Sequence, residues 1–349
     1  MTAQIMHPSI PTMQPIHQPI ENSAEILFRI RALVVDDIAA IDAKMQAELT
    51  SSVPLACEIT QHIFKSKGKQ LRPLLLILVA RAFATKSALS EAHHELAVVI
   101  EFVHTATLLH DDVVDRSELR RGQKTANAVW GNAASVLVGD FLYSRAFQIL
   151  ARHQHPRIMQ TLSETTNAIA EGEIMQLMHQ RNINVSEQNY FHVITQKTAR
   201  LFSAAAEIGA ILSHADAKNQ KAMADYGLHL GIVFQLIDDL LDYETSSDIT
   251  GKNIGDDLAE GKVTLPLIYA LEQTTPEKAA LIRNTIQNGD KNALPMMLAI
   301  LKETDAFSAT RKKAKQSAAL ALQALQTMPA SQYHRALQAL VEFAVERAY

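Results

Sequence analysis

The sequence contains little glycine and proline, and its prolines are unevenly placed. Of 349 residues only 12 are Gly and 11 are Pro, and four of the prolines fall within the first 19 residues (Pro8, Pro11, Pro15 and Pro19). Sandwiches, barrels and doubly wound sheets need many such residues in their turns. The rest of the chain is rich in Ala, Leu, Glu, Gln and Lys, which are strong helix formers. These features predict an all-α protein.

Further absences narrow the class of protein. The longest uninterrupted apolar run, Leu74–Ala80, is seven residues long and too short to span a membrane. The single cysteine, Cys57, excludes a disulfide framework. The formal net charge of −4 lacks the basic excess of a general nucleic-acid binder. No Lys or Arg precedes Arg29, so the N-terminus lacks the features of a signal peptide, and we expect a cytoplasmic protein.

The pattern of apolar residues predicts one domain after a short tail. Residues 1–22 are predicted to be disordered, because prolines three or four residues apart are incompatible with a helix. Residues 23–349 are interpreted as a single all-helical domain. Two long segments, from about Ser90 to Arg116 and from about Asn219 to Tyr243, are more apolar than surface helices and are expected at the centre of a bundle. A polar loop is predicted between 244 and 264.

Each of the two central segments contains a cluster of three aspartates. The motifs are Asp111-Asp112-Val113-Val114-Asp115 and Asp238-Asp239-Leu240-Leu241-Asp242. Residues four apart share a helix face, so two carboxylates of each motif point the same way. Carboxylates among apolar residues resist desolvation unless a cation is present, and their oxygens suit Mg²⁺ shared with phosphate. One such motif alone would favour a solvated acidic face, but two in the same apolar setting predict a diphosphate site with several metal ions.

Basic residues stand near both motifs, as an anion site requires. Lys69 and Arg72 precede a helix start predicted at Pro73. Arg120 and Arg121 follow the first motif, and Lys252 and Lys262 follow the second. Each alone is more often a solvated surface charge. Six of them around two acidic motifs favour binding of a diphosphate.

In combination, these motifs resemble those of the trans-prenyl diphosphate synthases. The matching stretches are GKQLRP (68–73), HTATLLHDDVVD (104–115) with Arg120-Arg121-Gly122, QKTAR (196–200), GIVFQLIDDLLD (231–242) and GKNIGDDLAEGKVTLP (251–266). The resemblance runs from about residue 25 to the C-terminus. It implies an all-α, single-domain bundle around a central cavity, a homodimer, and Mg²⁺ as cofactor, with three ions. The implied reaction condenses isopentenyl diphosphate with an allylic diphosphate, expected to be farnesyl diphosphate.

The resemblance also implies roles for individual residues. Mg²⁺ would be bound by Asp111, Asp115 and Asp238, with Asp112, Asp239 and Asp242 supporting them. Isopentenyl diphosphate would be bound by Lys69, Arg72, His104 and Arg121. The allylic diphosphate would contact Arg120, Lys197, Thr198, Gln235, Lys252 and Lys262. Oxygens of Lys197, Thr198 and Gln235 would also face the transient carbocation.

Product length is expected to depend on Ala106 and Thr107, the fifth and fourth residues before the first motif. In the family, these positions limit the depth of the tunnel for the growing chain, and short-chain members carry an aromatic residue there. Small residues are also common where helices pack closely, which is the alternative explanation. The resemblance favours a long all-trans product of eight isoprene units for a quinone side chain, with nine units as the alternative.

Three other functions agree with parts of the sequence. A class I terpene cyclase shares the first motif, but it would carry an Asn/Asp-Ser/Thr-Glu triad in place of the second and would lack GKQLRP. A metal phosphohydrolase would use His110 and Asp111 as adjacent ligands, which leaves the second motif unexplained. An inactive regulatory subunit would have lost motif residues, and all are present here. We expect His110 to be structural.

Overall fold

The computed structural model describes residues 23–65, 68–84, 89–244 and 255–347, and these are mostly helical. The predicted disordered tail and Lys252 lie outside the described residues. The all-α prediction is confirmed. A short antiparallel hairpin of β1 (Leu119–Arg120) and β2 (Gln123–Lys124), which the sequence analysis did not predict, follows the first aspartate motif.

The helices of the first half of the chain are α1 (Ser23–Ala32), α2 (Val35–Glu48), α3 (Pro54–Lys65), α4 (Leu71–Phe83), α5 (Glu91–Val114), α6 (Ala126–Trp130), α7 (Asn132–Arg152) and α8 (Pro156–His179). Next come α9 (Glu187–Ile194), a π-helical segment (Thr195–Ala199), α10 (Arg200–Leu212) and α11 (Ala217–Glu244). The last part contains α12 (Asp256–Glu260), α13 (Leu265–Gln273), α14 (Pro276–Asn288), α15 (Leu294–Glu303), α16 (Ala306–Ala324) and α17 (Gln332–Glu346), with short 3₁₀ turns at Lys291–Ala293 and Leu325–Thr327.

The two long segments predicted to be central are α5 and α11. Many of their residues are fully buried, and α10 packs between α11 on one side and α4 on the other. The apolar run Leu74–Ala80 is the buried middle of α4. Among the described helices, none combines the length and hydrophobicity needed to cross a bilayer. Hydrophobic burial of the central helices therefore fixes the positions of the two aspartate motifs at their C-terminal ends.

The bundle is closely packed around the π-helical segment. A Cβ built on Gly172 of α8 would lie 2.7 Å from the Lys197 backbone nitrogen, and one built on Gly231 of α11 would lie 2.6 Å from Ala199 Cα. Such distances leave no room for a side chain. Glycine at both positions lets α8 and α11 approach the segment from two sides.

Candidate active site

A cavity of about 640 Å³ lies between the C-terminal ends of α5 and α11. Predicted site residues from both aspartate motifs and from four other parts of the chain line it: Lys69, Arg72, His104, Thr107, Asp111, Asp115, Arg120, Arg121, Lys197, Thr198, Gln235, Asp238, Asp239, Asp242 and Lys262. The fold therefore brings together side chains that are far apart in the sequence. Carboxylates and cations share this one cavity.

Asp112, unlike the other motif aspartates, does not line this cavity. Its carboxylate is buried and accepts hydrogen bonds from Arg120 Nε at 2.8 Å and Nη2 at 2.7 Å. Its backbone carbonyl accepts from Ser117 and Asn127 just after α5 ends. In this arrangement Asp112 and Arg120 attach the β-hairpin to the end of α5.

The first motif is neutralised by lysines from two other elements. Asp111 Oδ2 lies 3.3 Å from Lys197 Nζ, and Asp115 Oδ2 lies 2.7 Å from Lys262 Nζ. Lys262 also contacts Glu260 at 2.6 Å. Burial lowers the pKa of Lys262, but the carboxylates of Asp257, Asp115 and Glu260 outweigh burial and raise it overall. Lys262 therefore stays charged at neutral pH.

Two residues of α8 join this cluster, and the sequence analysis missed both. Lys197 Nζ donates to Glu173 Oε2 at 2.6 Å and to Gln176 Oε1 at 2.7 Å. Burial and the nearby Asp111 raise the pKa of Glu173, although Lys197 opposes this. Glu173 and Gln176 are three residues apart in the sequence, which places them on one face of α8. This spacing was the feature of the sequence from which their shared role could have been predicted.

The three aspartates of the second motif differ in environment. The side chain of Asp238 is 55% exposed, and its Oδ1 lies 2.8 Å from Nη2 of Arg347, near the C-terminus. Asp239 is buried, and burial and Asp257 raise its pKa despite hydrogen bonds from Tyr190 and Gln235. Asp242 accepts a hydrogen bond from the Asp257 backbone nitrogen at 3.3 Å. Only Asp238 presents a largely open carboxylate.

The basic side of the cavity is built around Arg72. Its Nη1 lies 3.0 Å from His104 Nε2, and its guanidinium stacks over Phe202 at 4.3 Å. Burial lowers the pKa of Arg72 to about 10. Burial and the charges of Arg72 and Arg121 lower the pKa of His104 well below its usual value, so His104 is neutral and accepts from Arg72. Burial and Arg347 lower the pKa of Lys69 to about 8. Such mutual repulsion among cations favours binding of an anion.

The oxygen donors fit a divalent metal ion shared with a diphosphate. In the described parts of the chain, no three carboxylates or imidazoles cluster closely enough to form a complete metal site. Mg²⁺ usually takes one or two carboxylates and completes its shell with water and phosphate oxygens. Asp111, Asp115 and Asp238 present carboxylates of this kind to the cavity.

His110 contacts α7 on the other side of α5. Its Nε2 lies 3.2 Å from the Val136 carbonyl and 3.3 Å from Asp140 Oδ1, and its ring stacks on Tyr143 with centroids 6.1 Å apart. The adjacent Asp111 faces the cavity. The two residues therefore do not form the adjacent ligand pair that a phosphohydrolase would need.

Comparisons with known proteins agree with this geometry. Residues 53–302 match the model of the polyprenyl synthetase family, and the chain belongs to this family. It is 45% identical to octaprenyl diphosphate synthase of Escherichia coli K12, over 92% of this chain and 99% of that protein. It is 42% identical to an all-trans-nonaprenyl-diphosphate synthase (geranyl-diphosphate specific) of Rhodobacter capsulatus, over 91% of this chain and 97% of that protein. The family resemblance found in the sequence, and with it the trans-prenyltransferase class, is confirmed.

A solved structure supports the same conclusion about the fold. The polyprenyl synthase of Caulobacter crescentus CB15, complexed with calcium and isoprenyl diphosphate, superposes with a TM-score of 0.89 at 38% identity. The match covers 93% of this chain and 98% of that one. The arrangement of helices around the cavity is therefore that of the polyprenyl synthases.

Proposed function

We propose that the protein is a Mg²⁺-dependent synthase that extends farnesyl diphosphate with isopentenyl diphosphate to all-trans octaprenyl diphosphate. The observation that carries this proposal is that two aspartate motifs and a separate cationic cluster line one cavity. The 45% identity to an octaprenyl diphosphate synthase supports the choice of product. Supply of a quinone side chain in the cytoplasm is part of the same proposal.

The residues that line the cavity form two groups, and each group binds the diphosphate of one substrate. Asp111, Asp115 and Asp238 would hold Mg²⁺, which would supply positive charge for the departing diphosphate of the allylic substrate. Lys197 and Lys262 already lie beside the first motif and add positive charge at the same diphosphate. The second diphosphate, that of isopentenyl diphosphate, binds Lys69, Arg72, His104 and Arg121. Apolar side chains that line the cavity, among them Leu108, Phe202 and Phe234, would help to exclude water from the cation.

Identity to relatives does not by itself decide the length of the product. Relatives of similar identity are named for eight and for nine isoprene units. The proposal of eight units therefore depends also on the small residues of α5. Thr107 lines the cavity, whereas the adjacent Ala106 is fully buried and is not among the residues that line it. Nine units is the second candidate, favoured by the Rhodobacter relative.

Product analysis tests this function directly. The purified protein is incubated with farnesyl diphosphate, labelled isopentenyl diphosphate and Mg²⁺, with EDTA as control, and the dephosphorylated products are sized by chromatography. We expect a Mg²⁺-dependent ladder that ends at eight units. Termination after one or two additions would contradict the long product, and cyclic hydrocarbons or no incorporation would contradict the synthase itself.

Use of isopentenyl diphosphate is expected to weaken above pH 8. The pKa of Lys69 is lowered to about 8, so its side chain is about half charged at that pH, and the charged fraction approaches a tenfold fall per pH unit at higher pH. Since kcat/KM reports ionisation in the enzyme form that meets the varied substrate, kcat/KM for isopentenyl diphosphate at saturating farnesyl diphosphate should fall accordingly. Lys69→Arg, which stays charged, should flatten the profile. Parallel profiles for the two proteins would assign the titration to another group.

An exposed apolar surface favours a homodimer. Leu137 on α7 and Ile174, Leu177 and Met178 on α8 are 66%, 59%, 57% and 73% exposed. The link between Arg152 and Pro156 is short. We expect it to reverse the chain direction, so that Leu137 near the start of α7 lies at the same end as the three residues near the end of α8. We expect Leu177→Glu to dissociate the dimer in sedimentation experiments, whereas Leu281→Glu, 44% exposed on α14, should not. A dimer unaffected by the first change would place the interface elsewhere.

A further inference from the structure

Tyr190 lines the candidate active site but belongs to none of the predicted motifs. It lies on α9, which continues directly into the π-helical segment. Only 5% of its surface is exposed, and its ring packs edge-on against Phe191 with centroids 5.5 Å apart. Its hydroxyl donates to Asp239 Oδ2 at 2.5 Å. Tyr190 is thus held against the second motif by burial, packing and a hydrogen bond.

Asp239 in turn fixes the side-chain amide of Gln235, one helical turn away on α11. While Tyr190 donates to one carboxylate oxygen, Gln235 Nε2 donates to the other at 2.8 Å. With Asp239 ionised, the reverse orientation of the amide would place its carbonyl oxygen against an acceptor oxygen of Asp239. Gln235 Oε1 therefore points to the far side, where the Thr198 hydroxyl donates to it at 2.9 Å. The orientation of the amide follows from its contact with Asp239.

We propose that Tyr190 is a positioning residue for the condensation, a role that rests on the proposed function. Its hydroxyl holds Asp239, Asp239 holds the Gln235 amide, and the oxygens of Gln235 and Thr198 are thereby directed at the allylic carbon that becomes cationic. Dipoles fixed before the reaction stabilise developing charge without reorganisation. Tyr190 acts through Gln235 and need not touch the substrate.

Tyr190→Phe tests this role by removing a single hydroxyl group. We expect kcat to fall about tenfold because the Gln235 dipole is no longer fixed. KM for isopentenyl diphosphate should stay within about twofold, since the residues proposed to bind it are unchanged. An unchanged kcat, or a loss confined to KM, would overturn the proposal.

Tyr226→Phe is the matched control. Tyr226 is also a buried tyrosine, and its hydroxyl donates to the Leu337 carbonyl at 2.8 Å, outside the residues that line the cavity. Both variants should show a similar decrease in melting temperature. Only Tyr190→Phe should lose kcat, and equal losses of kcat in the two variants would assign the effect to stability.

A double-mutant cycle with Gln235→Ala distinguishes positioning from an independent effect. If Tyr190 acts through Gln235, its hydroxyl has nothing left to position once the amide is gone. Tyr190→Phe combined with Gln235→Ala should then have the kcat of Gln235→Ala alone, within about twofold. Losses that multiply would show that Tyr190 acts independently and would overturn the proposal.

Asp239→Asn tests the same relay if Tyr190→Phe folds poorly. It should lower kcat by about tenfold, because an asparagine at this position cannot accept hydrogen bonds from both Tyr190 and Gln235 through two oxygens. Wild-type kcat in this variant would overturn the proposal. The wild-type protein, assayed in parallel, separates the two failures. No incorporation by wild type contradicts the proposed function and with it this role, whereas an active wild type with unaffected variants contradicts the role of Tyr190 alone.

Discussion

Asp238→Asn is expected to lower kcat by about 10³-fold, because the reaction depends on neutralising a departing diphosphate. Asp238 is the most open carboxylate of the second motif, with 55% of its side chain exposed. The substitution keeps the shape of the side chain but removes the charge that a divalent ion requires. Asp225→Asn is the matched control, because Asp225 lies on the same helix, is exposed and pairs with Lys221. It should retain activity within about twofold.

Initial rates measured across a Mg²⁺ titration provide the test. Asp238→Asn should need more Mg²⁺ than wild type and should still fall short of its rate at saturation. The melting temperature is measured alongside, because the substitution also removes the carboxylate that pairs with the buried Arg347. A variant with the wild-type rate and Mg²⁺ requirement would show that the second motif does not hold the metal.

Ala106→Phe is expected to produce a much shorter prenyl chain. Ala106 is completely buried on α5, and the adjacent Thr107 lines the cavity. A phenyl ring at this position would occupy space that the growing chain needs, while the diphosphate-binding residues stay in place. The first addition to farnesyl diphosphate should therefore proceed, and later additions should stop early. Product sizing measures this effect, and the first addition serves as the internal standard.

Ala106→Ser is the control for Ala106→Phe, because it keeps the side chain small. It should give the wild-type ladder of products. Overpacking by phenylalanine is expected to destabilise the fold by about 1–3 kcal/mol, so melting temperatures are measured alongside. An active Ala106→Phe variant with an unchanged product spectrum would show that Ala106 serves helix packing and does not limit chain length.

Helices with strong end signals were predictable from the sequence. Ser90 precedes α5, and Thr275 and Gly289 flank α14, as their capping preferences indicate. The start predicted at Pro73 lies two residues inside α4, because proline is tolerated throughout the first helical turn. The short α12 was predicted as loop, since five residues between two glycines carry no periodic pattern.

Site residues could be predicted from the sequence only where several of them lie close together in one motif. The aspartate motifs can be recognised in the sequence because burying carboxylates among apolar residues costs free energy unless they are paired with a cation. Arg347 carries no such signal, since it reaches Asp238 only through the packing of the C-terminal segment. The burial of Asp112 and Asp239 could not be predicted from the motifs either. Adjacent residues of one helix point in different directions, so neighbouring aspartates have different surroundings.

Gly172 and Gly231, which contact the π-helical segment from two sides, connect the outer helices of the protein to its candidate active site. Gly172, whose α-carbon lies against the Lys197 backbone, is two residues from Ile174 on the exposed apolar face of α8. With no side chain between them to absorb a displacement, a shift of α8 is transmitted to Lys197 and Thr198. If the proposed homodimer forms through this face, separation of its subunits should therefore alter turnover.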